Sequence, residues 1–445
     1  ENCVNYANVT GTASNVGGIA GTLNSSGEII LCRSHGLIKS SGTSTTYVGG
    51  IAGTAQGIIT ACENHGNIEN PGRYTGGIGG YINGTTAVVS KCSNSGTVSG
   101  GAAANAFAGG SAGYVNNGRV ENSYNTAEVA GRTGGIGSIA GNMSAAAVIS
   151  RCFYYNSNSL LVKAVEAGSA EDCYYLASEG TPVGFGGLHK SADSFKYSEV
   201  AWLLNGRLDH LGIWEQGEIY PVLAKDEPQP IYRVWFMPVS EGIELSVTDE
   251  NLNLIKDGTG TYVYTADETD IIFSFASDDE VKIDITPAGT SCTKEDDIYT
   301  VRVSGNDINI RYGREDELNA PAIGWYNQSS NLYYLTNRND LLGFMGLAGG
   351  KYDEHGRLGF KGKTIVLDGD IELHTEDEWI PVGSAATPFE GIFDGKNHKV
   401  SGLSIGAEES PEIGDNQGFF GYIKGTVKNI TVKGNIYSSG NYVGG

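Results

Sequence analysis

The chain has 445 residues, of which 66 are glycine and 11 are proline, and its formal net charge is −22. Glycine stands at about twice its usual share and proline at about half, which excludes collagen and proline-rich disorder. The excess of negative charge argues against a nucleic-acid partner held through phosphate contacts. No apolar run approaches the roughly 18 residues of a membrane span, so we expect no membrane insertion.

The charge is distributed unevenly along the chain. Residues 1–180 carry a net charge of −2, whereas the remaining 265 residues carry −20. Residues 1–171 contain no aspartate at all. We therefore expect a glycine-rich, nearly neutral region and an acidic region that fold in different ways.

An internal repeat occupies the first region. The segment Val16–Gly21 reads VGGIAG, and related segments return at 48–53, 75–80, 108–113 and 137–141. A second anchor is a cysteine column whose positions lie 29 to 31 residues apart. Four or five glycines per unit would each cost a helix about 1 kcal/mol, so the units predict short strands. The period predicts a right-handed parallel β-helix of the all-β class, with three strands in each coil of about 30 residues.

Stacked coils turn each column of the repeat into a ladder of like residues. Cysteine and asparagine in the recurring Cys-x-Asn unit should share the inward face, because residues two apart in a strand point the same way. We expect the cysteines to pack as free thiols, although stacked neighbours also lie within disulfide range. We expect the asparagines to bond turn backbone groups and each other. The predicted ladders are Cys3, Cys32, Cys62, Cys92 and Cys152, with Ser123 in one cysteine position; Asn5, Asn64, Asn94 and Asn125; and Ile19, Ile51, Ile78 and Ile139.

Two helix patterns, at 195–208 and 337–348, interrupt the strands. Each adjoins strand patterns, so we interpret them as caps that cover the ends of β-helices. The alternation between them predicts a sandwich of seven or eight strands. The predicted domains are the later coils of a β-helix at 1–181, its C-terminal cap at 182–227, a small Ig-like β-sandwich at 228–313, and an N-terminal cap with the early coils of a second β-helix at 314–445, ending in mid-repeat.

The last segment carries motifs specific enough to suggest a family. They read WIPVG from Trp379, FEGIFDGKNH from Phe389, GFFG from Gly418 and VKNI from Val427. Together with the VGGIAG and Cys-x-Asn units, they resemble the GLUG-repeat parallel β-helix proteins of bacterial cell surfaces. The resemblance implies a secreted or wall-anchored, adhesin-like protein without shared catalytic residues. The family also includes stalk regions of some immunoglobulin-cleaving metalloproteases, but this chain contains no His-Glu-x-x-His motif.

Three groups of side chains offer alternatives to a purely structural role. His35 and His65 each follow a column cysteine by three residues, and they should stack outward as a structural pair rather than bind a metal. Acidic runs at 278–280 and 295–297 allow Ca²⁺ on the sandwich loops, with solvated charge as the default. An aromatic group near the end of the first β-helix is either a ligand platform for a sugar or a closing layer beside the cap. Its members are Phe153, Tyr154, Tyr155, Tyr174 and Tyr175.

These patterns predict a non-catalytic extracellular protein without a cofactor, either an adhesin or a stalk that presents other modules. The alternative is a carbohydrate-active enzyme or a glycan-binding module on the same scaffold, but the repeats show no column of the carboxylates that such catalysis needs. The expected partner is a protein or glycan of a host or neighbouring cell. The last residues, Tyr442–Gly445, fall within the anchor of a new coil, so open coil faces at the two ends are also expected to permit end-to-end self-association.

Overall fold

The computed structural model contains two compact units. The first comprises Glu1–Arg233, Asn251–Ile255 and Val263–Asp267, and the second comprises Val234–Glu250, Lys256–Tyr262 and Glu268–Gly445. The structure describes residues 1–444 except 13, 157–161, 166–167, 177–186, 208–211, 228, 250–251, 258–259, 287–288, 319–320, 322, 324, 329, 353–354 and 375–376.

The first unit is built around a parallel β-helix, which confirms the fold class predicted from the period. Successive coils pair in register, so that Tyr74 lies between Tyr47 of one neighbouring coil and Phe107 of the other. The prediction of three strands per coil is wrong, because a complete coil contains five. Frequent glycine, asparagine and serine turns limit these strands to between two and five residues.

Five parallel sheets run along the first β-helix, and we number them in the order in which a coil visits them. The first contains Val4–Asn5, Arg33–Ser34, Glu63–Asn64, Ser93–Asn94, Tyr124–Asn125, Phe153–Tyr154, Cys173–Leu176 and Gly187–Lys190; the second Val9–Gly11, Ile38–Ser40, Ile68–Glu69, Val98–Ser99 and Val129–Ala130; and the third Asn15–Gly17, Tyr47–Gly49, Tyr74–Gly76, Phe107–Gly109 and Ile136–Gly137. The fourth contains Ala20–Leu23, Ala52–Ala55, Gly79–Asn83, Ala112–Asn116, Ala140–Met143 and Val162–Val165, and the fifth Glu28–Ile30, Ile58–Thr60, Val88–Ser90, Arg119–Glu121, Val148–Ser150 and Ser169–Glu171.

Small aliphatic side chains and thiols fill the interior of this β-helix. Ile51, Ile78 and Ile139 are fully buried, whereas Ile19 in the first coil is partly buried. Each fully buried isoleucine contributes roughly 1.5–3 kcal/mol to folding. Ser111 takes the isoleucine position in one coil, and its hydroxyl is buried without a hydrogen-bond partner in the described structure. Among the described residues, this core cluster includes no aromatic ring.

The glycine doublets of the first four anchors mark close backbone packing in the first unit. A methyl group on Gly76 would lie 2.0 Å from the carbonyl oxygen of Gly79. A methyl group on Gly77 would lie 1.9 Å from the carbonyl oxygen of Gly110 and 2.4 Å from Cγ of Asn94. A side chain at either position would therefore force the backbone apart. The doublet also couples two ladders, because its second glycine packs against the asparagine column.

A left-handed residue precedes each position of the cysteine column. The angle φ lies between 48° and 55° at all seven positions, and none of the seven is glycine. This conformation costs a non-glycine residue about 1–2 kcal/mol. Hydrogen bonds between coils hold it, as when the Leu31 N–H donates to the carbonyl of Thr60 at 3.1 Å. The seven residues are Asn2, Leu31, Ala61, Lys91, Asn122, Arg151 and Asp172.

Two short helices, α1 (Ala192–Lys196) and α2 (Glu199–Leu204), follow the first β-helix. The sequence pattern predicts one helix over 195–208, but the chain breaks at Ser198, which adopts a left-handed φ of 66°. Residues 208–211, at the end of the predicted helix, lie outside the described residues. The single-helix prediction is therefore wrong, because a left-handed residue cannot continue a right-handed helix.

These helices and a hairpin close the first β-helix with aromatic rings. The hairpin pairs Trp214–Gln216 antiparallel with Pro221–Leu223. Phe195 of α1 and Trp214 are fully buried, and their ring centroids lie 5.6 and 5.5 Å from that of Phe153. The rings shield the end of the core from water, which is the role of a solenoid cap.

Two sheets with nine strands occupy residues 231–313, where the pattern predicts seven or eight strands. Phe236 and Phe273, one from each sheet, are fully buried with ring centroids 5.2 Å apart. Helix α3 (Glu315–Leu318) follows the last strand. The five-stranded sheet has the order Ile255–Asp257, Gly260–Ala266, Ile231–Pro238, Ile308–Gly313 and Lys282–Thr286, and the antiparallel four-stranded sheet has the order Glu244–Val247, Thr269–Ala276, Ile298–Val303 and Cys292–Glu295.

A second, shorter parallel β-helix follows in the second unit. The helix predicted at 337–348 is confirmed as α4 (Arg338–Gly349). Asn337 caps it by accepting the N–H groups of Asn339 and Asp340 at 2.9 and 3.1 Å. One parallel sheet contains Leu332–Leu335, Thr364–Leu367, Ile392–Asp394 and Thr426–Lys428, and the other contains Ile371–Glu372, Lys399–Ile405 and Thr431–Ile436.

Aromatic rings fill the core of the second β-helix. Phe344 of α4 contacts Phe360 and Phe393, with ring centroids 5.1 and 5.6 Å away. Trp379 stacks on Phe419 at 4.6 Å, and its indole N–H donates to the carbonyl of Phe419 at 3.2 Å. The motifs WIPVG, FEGIFDGKNH and GFFG supply most of these rings, so their conspicuous residues serve the core.

Candidate binding groove on the first β-helix

All seven cysteines are free thiols in the structure. The column thiols donate to the carbonyl two residues earlier, as Cys32 does at 3.2 Å, and the Cys32 sulfur accepts the N–H of Cys3 at 3.3 Å. Ser123 substitutes for a cysteine by accepting the N–H of Cys92 at 3.1 Å. Burial raises the pKa of the Cys92 and Cys152 thiols, which disfavours a nucleophilic thiolate. In the predicted column Cys32, Cys62, Cys92 and Cys152 are buried, and Cys3 is exposed.

The asparagine column forms a continuous amide ladder in three coils. Asn64 donates to the Oδ1 of Asn94 at 2.7 Å and to the carbonyl of Gly66 at 2.8 Å. Asn94 repeats the arrangement with Asn125 and Gly96, both at 2.8 Å. The ladder thus satisfies most of these buried amide groups, which would otherwise cost about 1–3 kcal/mol each, while the Oδ1 of Asn64 at its end has no hydrogen-bond partner among the described residues. In the other coils the same position holds Asn5, which bonds the turn at Ala7, and Ser34, Tyr154 and Tyr175.

The aromatic group considered as a ligand platform is mostly buried at the capped end of the first β-helix. Three of its five rings are fully buried and a fourth is 2% exposed, while the fifth packs edge-on against Phe195 at 5.1 Å. Rings enclosed by protein cannot stack on a sugar from solvent. Burial therefore argues against the platform interpretation of Phe153, Tyr154, Tyr174 and Tyr175, whereas Tyr155 is partly exposed and packs against the cap.

The predicted histidine pair lies on the outer surface of the first sheet. His35 and His65 stack with ring centroids 4.8 Å apart, and Tyr6 continues the stack at 4.8 Å. His65 also contacts the hydroxyl of Ser95 at 2.8 Å and the carboxylate of Glu63 at 3.1 Å. Within the described residues, no group of three or more histidine, cysteine, aspartate or glutamate side chains could hold a metal ion.

The acidic runs considered for Ca²⁺ contain exposed ion pairs. Asp279 accepts from Arg314 at 2.8 Å, and Glu280 pairs with Lys282 at 2.6 Å. In the second run, Asp297 lies 3.8 Å from Lys294. Basic partners thus neutralise carboxylates that a calcium site would need as ligands.

A different aromatic group faces away from the core, along the corner between the third and fourth sheets. On the third sheet its rings alternate with the inward-facing Val48 and Ala108. On the fourth sheet they alternate with the inward-facing Ile82 and Val115. We call this group the tyrosine groove, and it consists of Tyr47, Tyr74 and Phe107 from the third sheet and Tyr81 and Tyr114 from the fourth.

The rings of the tyrosine groove contact one another along and across the corner. Tyr47 and Tyr74 stack with centroids 5.0 Å apart, and Tyr81 and Tyr114 stack at 5.8 Å. Across the corner, Tyr47 lies 5.1 Å from Tyr81, and Tyr74 lies 5.1 Å from Tyr114. At a convex corner, side chains that point outward from the two sheets would diverge. Because these rings contact one another across the corner, the corner is concave. The groove therefore runs parallel to the axis of the β-helix.

Glycine makes this concave corner possible. A methyl group on Gly80 would lie only 2.6 Å from the backbone nitrogen of Val48, on the third sheet of the preceding coil. The two sheets therefore meet backbone to backbone. Tyr74 lies at the base of the groove and is 4% exposed, and burial raises its pKa to about 12. The other four rings are partly exposed.

Polar side chains line the fourth-sheet side and one end of the groove. Asn116 donates to the Oδ1 of Asn83 at 2.8 Å and to the hydroxyl of Tyr81 at 3.2 Å. Asn15 accepts from the hydroxyl of Thr54 at 3.1 Å. Because amides and hydroxyls supply both donors and acceptors, the lining can pair with the hydroxyl groups of a ligand.

Two arginines flank the groove on the third-sheet side. Cζ of Arg73 lies 4.9 Å from the ring centroid of Tyr74, and Cζ of Arg132 lies 5.7 Å from that of Phe107. Asn70 fixes the loop before Arg73 by donating to the Tyr74 carbonyl at 3.1 Å. Cation–π contacts of this kind orient a guanidinium while leaving its N–H groups available.

This groove was not among the predicted sites, although the sequence carries a signal for it. Tyr47, Tyr74 and Phe107 each stand immediately before a repeat anchor, and Tyr81 and Tyr114 stand immediately after the last glycine of one. Aromatic residues at a constant register in successive coils must stack on one face. The constant spacing of these aromatic residues therefore indicates an aromatic surface, whereas the denser cluster near residue 153 does not.

No family model matches the chain, and none of the curated proteins matches it. The resemblance to GLUG-repeat proteins therefore remains an interpretation of the motifs. Among solved structures, the chain is similar to a candidate immunoglobulin A1 protease from Bacteroides ovatus, with 21% identity and a TM-score of 0.37. The match covers 50% of this chain and 75% of the other. In the described residues, no helix is long and apolar enough to cross a membrane.

Proposed function

We propose that the chain is a non-catalytic, extracellular bacterial surface protein, an adhesin that binds a glycan of a host or neighbouring cell along the tyrosine groove. The observation that carries the proposal is the groove itself, which gathers five rings on the outside of a β-helix. The motif resemblance to GLUG-repeat surface proteins supports the extracellular location. A purely structural stalk would not require this combination of rings, amides and guanidinium groups in one concave corner.

A glycan suits the chemistry of the groove better than an apolar ligand does. The rings stack along the axis, so their faces are largely covered by one another and their edges and hydroxyls form the contact surface. Amide and hydroxyl groups beside them match a polymer rich in hydroxyls. Because the groove is formed by paired strands, it is held rigidly, which lowers the entropy lost on binding.

Binding of the full chain to a glycan array and to cultured epithelial cells tests this function. The double variant Tyr81→Ala/Tyr114→Ala should bind at least tenfold more weakly, because it removes the fourth-sheet side of the groove. Tyr6→Ala is the matched control, since Tyr6 is 76% exposed and lies outside the groove. Absence of glycan and cell binding by the unmodified chain, or full binding by the double variant, would contradict the proposal.

Three further measurements strengthen this test. Tyr81→Phe/Tyr114→Phe keeps both rings and removes only their hydroxyls, so it should remain folded and bind more weakly. Circular dichroism of each variant separates lost binding from lost structure. Protease accessibility of the protein on intact bacteria that produce it tests the location, and complete protection on intact cells would contradict surface display.

A further inference from the structure

We infer that the glycan bound in the tyrosine groove carries carboxylate groups, and that Arg73 and Arg132 bind them. This inference rests on the proposed function, because it names the ligand class of the same groove. The ligand class is a chain of acidic pyranose sugars, which includes both uronic acids and sialic acids.

The two guanidinium groups lie over rings of neighbouring coils, although Arg73 directly precedes its ring in the sequence and Arg132 comes from the following coil. Tyr74 and Phe107 are paired residues of adjacent third-sheet strands, with ring centroids 6.0 Å apart. Arg73 lies over the first ring and Arg132 over the second. The cations therefore form a short row along the groove, which suits a ligand whose acidic groups repeat along its length.

Neither arginine has an anionic partner in the described part of the chain. Two basic residues elsewhere on this β-helix do pair with the next coil, Arg33 with Glu63 at 3.2 Å and Lys39 with Glu69 at 2.6 Å. Arg132 instead makes two long contacts, both at 3.5 Å, to backbone carbonyls. The Nε of Arg73 is buried without a hydrogen-bond partner among the described residues.

The groove offers a positive local environment in a strongly acidic chain. Burial raises the pKa of both Tyr74 and Tyr81. The positive charge of Arg73 opposes this change by lowering the pKa of both hydroxyls. A carboxylate entering the groove would therefore meet unpaired cations. The planar fork of a guanidinium matches the two oxygens of a carboxylate, which adds geometric selection to charge.

Arg73 is also held in place before any ligand arrives. Its N–H donates to the carbonyl of Thr46 at 3.1 Å, and the hydroxyl of Thr46 donates to Asn70 at 2.7 Å. Gly72 leaves room for this network, since a methyl group there would lie 1.7 Å from the Thr46 oxygen. A preformed loop loses little conformational entropy on binding, so the arginine can select among ligands.

The test compares acidic probes with neutral ones of the same shape, using the full chain and isothermal titration calorimetry. Tetragalacturonate is compared with its methyl ester, and sialyllactose with its methyl ester, so the two arms distinguish uronic from sialic acids. At least one acidic probe should bind tenfold or more tightly than its neutral counterpart. Binding should weaken with added salt, because part of the attraction is between charges.

Variants assign the effect to the two arginines. Arg73→Ala and Arg132→Ala should each reduce acidic-probe binding at least tenfold and reduce neutral-probe binding much less. Arg73→Lys keeps the charge but lacks the planar guanidinium fork, so it should lose part of the affinity for the acidic probe. This variant replaces Arg73→Ala in the test if the alanine variant does not fold. Arg119→Ala is the matched control, because it removes the same charge from an exposed position on the fifth sheet.

The outcomes separate this inference from the proposed function. Equal binding of acidic and neutral probes would overturn the inference and leave glycan binding in the groove intact. Equal competition by poly-L-glutamate would also overturn it, because recognition would then concern charge and not sugar. Unchanged acidic-probe binding in both arginine variants would do the same. Absence of binding to every glycan tested would overturn the inference and the proposed function together.

Discussion

The two β-helices of this chain share a parallel architecture but have opposite kinds of core. The first packs small aliphatic residues and thiols around its asparagine ladder, with glycine doublets that let backbones touch. The second packs phenylalanine and tryptophan rings against α4. A strict repeat spreads stability over many equivalent small contacts. An irregular one concentrates it in a few large side chains and local turns.

The two regions also treat buried polar groups differently. In the first, amides repeat from coil to coil and satisfy one another. In the second, Asp394 is 7% exposed and accepts bonds from the Lys396 N–H and from Asn429, both at 3.0 Å, with Lys428 also 3.0 Å away. Neutral ladders need no charge, whereas this turn depends on an ionised carboxylate.

The largest expected effect comes from adding one methyl group to the first β-helix. Gly77→Ala should destabilise it by more than about 5 kcal/mol, because the methyl group meets the backbone of Gly110 at 1.9 Å. Gly349→Ala in α4 is the matched control. There the methyl group meets the side chain of Ile380 at 3.2 Å, and alanine gains about 1 kcal/mol of helix propensity. Thermal unfolding measures both, and comparable losses would contradict the contrast.

Removing one ring should be the largest loss in the second core. Phe393→Ala should cost about 3–5 kcal/mol, because Phe393 is fully buried and contacts Phe344 and Phe420 at 5.6 and 5.4 Å. Cys62→Ala, in the core of the first β-helix, should cost only about 1–2 kcal/mol, since it removes a single buried atom and the weak hydrogen bond that its sulfur accepts from the Cys32 N–H at 3.4 Å. Urea unfolding compares the two, and equal losses would show that the cores do not differ as described.

The ionised carboxylate of Asp394 should make the second β-helix sensitive to acid. Burial opposes ionisation, but hydrogen bonds from the Lys396 N–H and Asn429, together with Lys428, lower the pKa of Asp394 to about 2. The stabilisation is therefore present above the unfolded-state pKa of about 3.9 and is lost as the pH falls toward 2.

The variant Asp394→Asn should accordingly be less stable by roughly 1–2 kcal/mol at pH 7, with a difference that shrinks between pH 4 and pH 2. Glu408→Gln is the control, because Glu408 is an exposed carboxylate of the same β-helix. Urea unfolding at three pH values measures the difference. A destabilisation of the same size at every pH would rule out the carboxylate charge as its cause.

The smallest expected effect concerns the left-handed corner of the first β-helix. Ala61→Gly should stabilise by up to about 1 kcal/mol, because relief of the positive φ of 52° exceeds the added entropy of the unfolded chain. Ala52→Gly, inside a fourth-sheet strand, should instead destabilise by about 0.5–1 kcal/mol. Calorimetry compares the two, and a loss at both positions would show that the corner is not strained.

Sequence periodicity predicted the first β-helix well, because a constant spacing fixes which residues stack. It did not predict five strands per coil. The left-handed residues at the corners, such as Leu31 and Lys91, are not glycine and therefore give no turn signal in the sequence. The break at Ser198 was missed for the same reason. The cluster around Tyr154 suggested a ligand platform because its aromatic residues lie close together in the sequence, but most of its rings are buried. The groove at Tyr74 depends on the concave corner, which no single coil reveals.

Hydroxyl-radical footprinting of the full chain, with and without tetragalacturonate or sialyllactose, tests the tyrosine groove as a binding surface most directly. Mass spectrometry should show lower oxidation of Tyr47, Tyr81 and Tyr114 with a bound probe, and unchanged oxidation of the exposed Tyr6. Unchanged oxidation of all three groove tyrosines at a saturating probe concentration would contradict the account.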